Sequence, residues 1–363
     1  MSYFVKSLLL FGYEPIALYW CERIIRDMKK LLTLFVFTFF IPITPQAEAS
    51  DNLFYYFANT YGFESLKDNY RDIDIFAPQV YEMDFAYDIL EPGEEDQKVL
   101  DYARKKRMDV MPLVYNTGFS MQLMTYFLAD EDAQEKVLDQ LVDIADDEDY
   151  IGWQFDFENI SHTDREAYTE FVEKAAKVFK KERLEFSVAV VPRSRDYDPD
   201  DRYQDWSAPY EYAKIAEVVD FMTLMTYDDE AAKGPVASLP FIDRILDYMI
   251  EEEDIDPEKI SLGVPAYCWQ WELGAEKKDR SHIYNRVVEK YEASDPFHIR
   301  IYLEELGSEA FFYIDEVEQK PYLTWCDNYQ GFRIKDKIVK DRDLHGMSVW
   351  ALGQEDERIW DEL

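Results

Sequence analysis

Acidic and aromatic side chains alternate in the segment "GWQFDFEN", residues 152–159. The odd positions hold three aromatic rings: Trp153, Phe155 and Phe157. The even positions hold an amide and two carboxylic acids: Gln154, Asp156 and Glu158. Because successive side chains of a β-strand point to opposite faces, one face of this predicted strand is apolar and the other carries both acids.

The two acids have a spacing that suits proton transfer. Asp156 and Glu158 are two positions apart on one strand face, which places them within about 7 Å of each other. Two negative charges at that distance repel, so the pKa of one acid rises. The residue whose pKa rises can keep its proton near neutral pH and act as a general acid. The alternative is an ordinary amphipathic strand whose polar face contacts water.

The chain after residue 50 alternates between short β-rich runs and charged amphipathic stretches. Eight runs have the composition of strands: 53–58, 73–81, 109–116, 152–159, 185–192, 219–228, 259–267 and 346–352. Helical spacing of apolar residues recurs between most of them, as in residues 130–147. Eight strand–helix units in about 250 residues predict an α/β fold, the closed (β/α)8 TIM barrel.

A barrel gives the polar face of the fourth strand a defined direction. One strand face packs against the helices, which suits the three aromatic rings, and the other face points into the barrel. Gln154 and Asp156 then point inward, and Glu158 lies nearest the C-terminal mouth, where the active sites of such barrels lie. Buried carboxylates destabilise an apolar interior. We therefore predict that these acids have a function.

The interval between the seventh and eighth predicted strands is too long for a single helix. About residues 268–330 contain helical stretches near 281–291 and 301–306, followed by the β-rich runs "AFFYIDE" and "KPYLTWCD", which read as a hairpin. We predict a small α+β insertion in the barrel rather than a separate domain.

The first 49 residues have the pattern of an export signal. In residues 28–49, a basic start precedes the apolar run "LLTLFVFTFFIPI" and a small-residue cleavage site at 47–49. Residues 1–27 read as an upstream extension from a misplaced start codon. We expect residues 50–363 to be a secreted or periplasmic domain that has no stable membrane association after cleavage. An uncleaved N-terminal anchor is the alternative.

Composition narrows the partners. The formal net charge of −37 argues against binding to nucleic acid or to an anionic membrane surface. Cys268 and Cys326 are the cysteines that follow residue 50, and they allow one disulfide. The four histidines show no zinc-ligand spacing, so no metal is predicted. We expect no cofactor and a monomeric protein.

The segment at 152–159 resembles the fourth-strand signature of glycoside hydrolase family 18, D-G-x-D-x-D-x-E. "MTYD" (225–228) matches the family's sixth-strand M-x-Y-D, and "GMSVWALGQED" (346–356) resembles the branch that includes bacterial spore-cortex and peptidoglycan hydrolases. The similarity spans about residues 53–356. It implies a glycosidase that cleaves β-1,4 bonds at N-acetylglucosamine, in chitin, chito-oligosaccharides or peptidoglycan.

The resemblance also implies a retaining, substrate-assisted mechanism. Glu158 would protonate the glycosidic oxygen and later activate water, while the substrate's 2-acetamido oxygen attacks the anomeric carbon. Asp156 would stabilise the resulting cation, and Tyr227 would orient the acetamido group. Three further residues would line the same subsite: Met225, Asp228 and Trp350. Aromatic residues near predicted strand ends are candidate walls for other sugars: Tyr56, Tyr81, Tyr267 and Trp269.

Two positions depart from the family signature, because Ile151 replaces its first Asp and Gln154 its second. In many relatives the second Asp hydrogen-bonds the third. A neutral amide can still hydrogen-bond Asp156, but it cannot share a proton with it. We therefore expect Gln154 to contribute to the site while changing its rate and pH profile.

Two other functions remain open at the level of the sequence. One is a non-catalytic, lectin-like protein on the same fold. Inactive relatives usually lose the acid, whereas Glu158 is present here. The other is an endo-β-N-acetylglucosaminidase that acts on N-glycans, which would share the same motif and differ in its loops.

Overall fold

The structure is a computed structural model that describes residues 51–195, 205–228, 234–275, 280–294 and 298–363. The predicted upstream extension (1–27) and signal peptide (28–49) lie outside the described residues. Residues 50–363 form one compact unit. No helix in the described part of the chain is long and apolar enough to cross a membrane.

Eight parallel strand positions close into a barrel. They are formed by β1 (Asp51–Tyr56), β2 (Ile75–Met83), β4 (Asp109–Val110) with β5 (Leu113–Asn116), β6 (Gly152–Asp156), β7 (Glu185–Val190), β8 (Phe221–Leu224), β9 (Ile260–Pro265) and β15 (Gly346–Trp350). β3 (Ile89–Leu90) is a short antiparallel partner of β2. Because β1 pairs with both β2 and β15, the sheet is closed, and the predicted TIM barrel is confirmed.

Helices surround the barrel and cover its outer face. The described helices are α1 (Thr60–Asn69), α2 (Glu94–Lys106), α3 (Met121–Leu128), α4 (Glu131–Glu148), α5 (Arg165–Glu182), α6 (Tyr212–Val218), α7 (Leu239–Asp247), α8 (Tyr284–Ala293) and α9 (Tyr329–Asp341). α4 begins where the Asp130 side chain accepts a hydrogen bond from the N–H of Ala133, which satisfies a free donor of the first turn.

The aromatic face of β6 packs against these helices, as the alternation predicts. The rings of Trp153, Phe155 and Phe157 are fully buried. Phe155 stacks on Phe171 of α5 with ring centroids 5.5 Å apart. Gly152 lets β6 approach β7 closely, because a Cβ there would lie 2.0 Å from the carbonyl oxygen of Glu185.

The insertion between β9 and β15 is an antiparallel sheet with one helix, so the predicted α+β insertion is confirmed. Its strands are β10 (Tyr267–Glu272), β11 (Arg280–Ile283), β12 (Ile299–Leu303), β13 (Ser308–Ile314) and β14 (Pro321–Cys326), in the order β11-β10-β14-β13-β12. The helix predicted near 301–306 is wrong. That segment pairs as β12 with β13, and Arg300 forms an ion pair with Glu309 across the two strands.

Two buried links hold the insertion together and attach it to the barrel. Cys268 and Cys326 lie opposite each other on β10 and β14 and form a disulfide. Beside this bridge, Asp327 accepts hydrogen bonds from Ser308 of β13 and from Lys335 of α9. Lys335 and Asp327 are both buried. Removal of either side chain would leave the other charge unpaired and away from water, which would lower the stability of the fold.

We expect loss of the disulfide to destabilise the protein. The bridge joins residues 58 positions apart, and chain entropy predicts that Cys268→Ala with Cys326→Ala lowers the free energy of unfolding by about 4 kcal/mol. Urea unfolding measures this change. Reduced wild-type protein is the matched control and should unfold like the double variant. Equal stability of the oxidised and reduced proteins would contradict the pairing.

Candidate active site

A pocket of about 640 Å³ opens at the C-terminal ends of the barrel strands. We call it the mouth pocket. It is lined by Tyr55, Gln79, Leu113, Phe119, Asp156, Glu158, Ala189, Val191, Pro192, Trp206, Met225, Tyr227, Asp228, Phe241, Tyr267 and Trp350. Its size and its mixture of rings with a few convergent polar groups are typical of a site for a small ligand.

The mouth pocket carries negative charge. Its ionisable groups include three carboxyl groups, those of Asp156, Glu158 and Asp228, and among its described lining residues there is no Lys, Arg or His. The described residues also contain no cluster of His, Cys, Asp and Glu side chains that could hold a metal ion. The chemistry available to the described site is therefore proton transfer and charge stabilisation by carboxyl, hydroxyl and amide groups.

Gln154 lies beneath the pocket, and its amide is already occupied. Its Oε1 accepts a hydrogen bond of 2.6 Å from the hydroxyl of Tyr55. Its Nε2 donates to Ser187 at 2.8 Å and to Thr223 at 3.2 Å. These bonds use both N–H groups of the amide. Gln154 is thus part of a neutral polar layer inside the barrel and has no N–H left for Asp156.

Asp156, the last residue of β6, receives its hydrogen bond from another strand. Only 4% of Asp156 is exposed, and its Oδ2 accepts a bond of 3.2 Å from Nε2 of Gln79 on β2. Burial raises the pKa of Asp156 to about 6, and the bond from Gln79 opposes that rise. Asp156 is therefore ionised above mildly acidic pH, although water scarcely reaches it.

Glu158 is a stronger candidate for a proton donor. Burial, followed by the negative charges of Asp156 and Asp228, raises the pKa of Glu158 to about 8. Glu158 thus retains its proton at neutral pH while Asp156 has lost its own. Two neighbouring acids with separated pKa values are the arrangement expected of a general acid beside a charged stabiliser.

The backbone of Glu158 is held by a side chain from the neighbouring strand. Glu158 lies two residues beyond β6, outside the strand ladder. Asn116, the last residue of β5, accepts a bond of 3.1 Å from the N–H of Glu158 and donates one of 3.2 Å to its carbonyl. Tyr210 also donates to the carbonyl of Phe157 at 2.9 Å. These bonds fix the direction in which the Glu158 side chain leaves the strand.

Most other predicted site residues also meet in the mouth pocket. Met225, Tyr227 and Asp228 follow β8, and Trp350 ends β15; all four line the pocket. Tyr267, at the start of β10, lines it too, and its hydroxyl donates to Oδ1 of Asp228. The structure therefore brings residues from the fourth, sixth and eighth barrel strands and from the insertion to one place.

Three of the predicted aromatic walls lie elsewhere. Tyr56 points outward from β1 and packs against Phe76 in the layer between barrel and helices. Tyr81 also points outward, because a β-bulge between Gln79 and Tyr81 reverses the alternation of β2. Its hydroxyl shares a hydrogen bond with the hydroxyl of Tyr150. Trp269 is buried within the insertion sheet.

Sequence reasoning missed several residues of the site. Tyr55, next to the predicted Tyr56, is the one that faces the barrel interior. Both faces of β1 are apolar, so alternation in the sequence does not indicate which of the two tyrosines faces the barrel interior. Gln79 lies in the middle of β2 and Asn116 ends β5, and no motif distinguishes either amide. Trp206, 51% exposed at the pocket, lies in a segment outside the predicted strands and helices.

Comparison with known sequences places the chain in a family. The model for "Glycosyl hydrolases family 18" matches residues 18–355. The chain therefore belongs to glycosyl hydrolase family 18. It is 29% identical to the "Uncharacterized glycosylase YvbX" of Bacillus subtilis, over 74% of this chain and 78% of that one. It is 26% identical to the "Cortical fragment-lytic enzyme" of Bacillus subtilis, over 70% of this chain and 58% of that one.

Solved structures share the fold. The spore cortex-lytic enzyme SleL of Bacillus megaterium QM B1551 superposes with a TM-score of 0.76 at 23% identity, over 88% of this chain and 74% of that one. A chitinase from Chromobacterium violaceum ATCC 12472 superposes with a TM-score of 0.76 at 21% identity, over 86% of this chain and 98% of that one. These similarities support the barrel architecture.

We expect Asn116 to position the acid. Asn116→Leu keeps the volume of the side chain but removes both bonds to the Glu158 backbone, and a small displacement of a catalytic group lowers turnover by about 100-fold. Steady-state kinetics on a chito-oligosaccharide should show a fall in kcat with little change in KM. The control is Asn69→Leu, at the last residue of α1, which removes the bond from Asn69 to the carbonyl of Ser65. Equal kcat in both variants would contradict this role.

Proposed function

We propose that this protein is an exported glycosidase that cleaves β-1,4 bonds at N-acetylglucosamine by a retaining, substrate-assisted mechanism. One observation carries the proposal: the carboxyl groups of Glu158 and Asp156 share a buried pocket with Tyr227 and Trp350. Burial and neighbouring charge raise the pKa of Glu158 above that of Asp156. Membership of family 18 supports the same reaction class.

In this mechanism Glu158 is first an acid and then a base. Its proton passes to the glycosidic oxygen as the bond to the anomeric carbon breaks, so the leaving sugar departs as a neutral alcohol. The carboxylate that remains takes a proton from water. The water oxygen bonds to the anomeric carbon on the side from which the sugar left, and the bond between that carbon and the acetamido oxygen breaks. The raised pKa of Glu158 suits both steps, because it lies near neutral pH.

The substrate supplies the nucleophile, and Asp156 stabilises what forms. The carbonyl oxygen of the 2-acetamido group bonds to the anomeric carbon and gives a positively charged oxazolinium ion. Asp156 accepts a hydrogen bond from the acetamido N–H, and its negative charge lowers the energy of the cation in a site with little water. The Tyr227 hydroxyl donates to the acetamido oxygen and orients it, and the Trp350 ring packs under the sugar.

The charge of the mouth pocket favours a neutral sugar next to the bond that breaks. N-acetylglucosamine carries no charge, whereas the lactyl carboxylate of N-acetylmuramic acid would be repelled by Asp156 and Asp228. We therefore propose that N-acetylglucosamine occupies the pocket. Chitin, chito-oligosaccharides and peptidoglycan all contain this sugar, and the names of the relatives include both a cortical fragment-lytic enzyme and a chitinase.

Export is supported by two independent features. The signal-like pattern at residues 28–49 precedes the folded unit, and Cys268 and Cys326 form a disulfide within that unit. Stable disulfides belong to oxidising compartments. We propose that the protein works outside the cell or in the periplasm.

Glu158→Gln tests the reaction directly. The amide has no proton to give, so we expect turnover to fall by about 1,000-fold or more while glycan binding remains. Product release from chitotetraose and from peptidoglycan is followed by mass spectrometry, and binding by tryptophan fluorescence. Glu355→Gln, a buried acid bonded to Ser65 outside the mouth pocket, is the matched control and should keep its activity. Turnover near the wild-type level in Glu158→Gln would contradict the assignment of Glu158 as the general acid.

The pH profile should be bell-shaped. Activity needs ionised Asp156 and protonated Glu158, so kcat/KM should fall below about pH 6 and above about pH 8. The charge of Asp228 contributes to the raised pKa of Glu158. Asp228→Asn lowers that pKa, and the alkaline limb should therefore move to lower pH. An alkaline limb that stays in place would contradict this coupling.

A further inference from the structure

The hydrogen bonds around Gln154 leave Asp156 dependent on a different residue. Gln154 stands where the family signature has a carboxylate, and both of its amide N–H groups donate to hydroxyls of the barrel interior, on Ser187 and Thr223. Its oxygen is an acceptor and cannot stabilise a carboxylate. The residue expected from the motif to hydrogen-bond Asp156 is therefore engaged elsewhere.

The donor to Asp156 comes instead from β2. Nε2 of Gln79 lies 3.2 Å from Oδ2 of Asp156 and also borders the mouth pocket. The β-bulge that turns Tyr81 outward follows Gln79 directly, so Gln79 is the last inward residue of β2 before the alternation reverses. The strand register sets Gln79 level with Leu113 of β5, and Leu113 level with Gln154 of β6. The Gln79 side chain therefore reaches Asp156 from the level of Gln154.

We propose that Gln79 is the positioning residue that holds Asp156 ionised and in one orientation, the task that the family signature gives to the carboxylate at the position of Gln154. This inference deepens the proposed function and relies on it for its catalytic meaning. An amide N–H forms a stronger hydrogen bond with the charged carboxylate than with the neutral acid. Asp156 would therefore keep its negative charge without sharing a proton with a neighbouring acid.

The surroundings of Asp156 make this single donor important. Among the described residues, the ionisable groups whose titration responds most clearly to the charge of Asp156 are acids or phenols: Tyr55 on β1, Tyr115 on β5, Glu158 after β6, Tyr168 on α5, Tyr210 before α6 and Tyr227 after β8. No Lys, Arg or His belongs to the described lining of the mouth pocket. Without Gln79, burial would favour the protonated form of Asp156.

Direct titration of Asp156 tests the proposal without any substrate. The aspartate carboxyl carbons of the full-length protein are labelled with ¹³C, and the Asp156 signal is assigned with Asp156→Asn. Gln79→Met keeps the length of the side chain and removes the donor. We expect it to raise the titration midpoint of Asp156 by about one pH unit, the effect of losing one hydrogen bond to a charged acceptor.

Two matched variants control for simple loss of an amide. Gln134 is another buried glutamine, which lies on α4 and does not belong to the described lining of the mouth pocket. Gln134→Met removes its bond of 3.1 Å to the carbonyl of Leu128. It should leave the Asp156 midpoint unchanged. Gln154→Met breaks the interior layer and should lower the melting temperature without raising that midpoint by a comparable amount.

Kinetics supply the second readout. If ionised Asp156 is needed for catalysis, the acid limb of kcat/KM in Gln79→Met moves to higher pH by the same one unit, and the alkaline limb moves less. A structural defect alone would lower the whole profile without moving its acid limb. This measurement uses chitotetraose over the range of pH in which the variant remains folded.

The two arms separate the proposal from the function on which it relies. A raised Asp156 midpoint in a protein that hydrolyses neither chitotetraose nor peptidoglycan would support the role of Gln79 and refute the proposed function. A midpoint that is unchanged in Gln79→Met, or that rises in Gln154→Met instead, would overturn the proposal even in a fully active enzyme.

Discussion

Two carboxyl groups that share a buried barrel mouth cannot both be charged at low cost, and the rest of the site follows from that constraint. Repulsion and poor solvation hold the proton on Glu158, while Asp156 stays ionised because an amide donates to it. The aromatic face of β6 fixes both acids from behind by packing on α5. In the proposed mechanism, the roles of proton donor and charged stabiliser are therefore assigned before any substrate binds.

The neutral layer beneath the acids limits where protons can go. Gln154 is linked to Tyr55, Ser187 and Thr223, and Thr223 continues the chain of hydrogen bonds to Ser348. A carboxylate in place of Gln154 would add a third titrating group and a second site for the proton. With the amide in that place, the carboxyl groups in the described lining of the mouth pocket are those of Asp156, Glu158 and Asp228.

The sequence was most informative where a pattern repeats. Eight strand–helix units predicted the barrel, and strict alternation put Asp156 and Glu158 on the inner face. It failed where geometry breaks the pattern, because the bulge in β2 turns Tyr81 away from the pocket. It did not indicate that the Gln79 side chain reaches Asp156. It did not indicate Asn116, because a side chain that bonds the backbone just beyond the neighbouring strand has no periodic pattern.

The insertion contributes to the electrostatics of the site as well as to its wall. Tyr267 begins the insertion sheet and donates to Asp228, while the next residue, Cys268, is bonded across the sheet to Cys326. Asp228 has a left-handed backbone with φ of 62°, which Asp tolerates better than most residues when its side chain is held. Since the charge of Asp228 helps to raise the pKa of Glu158, the bond from Tyr267 connects the insertion to the residue proposed as the acid.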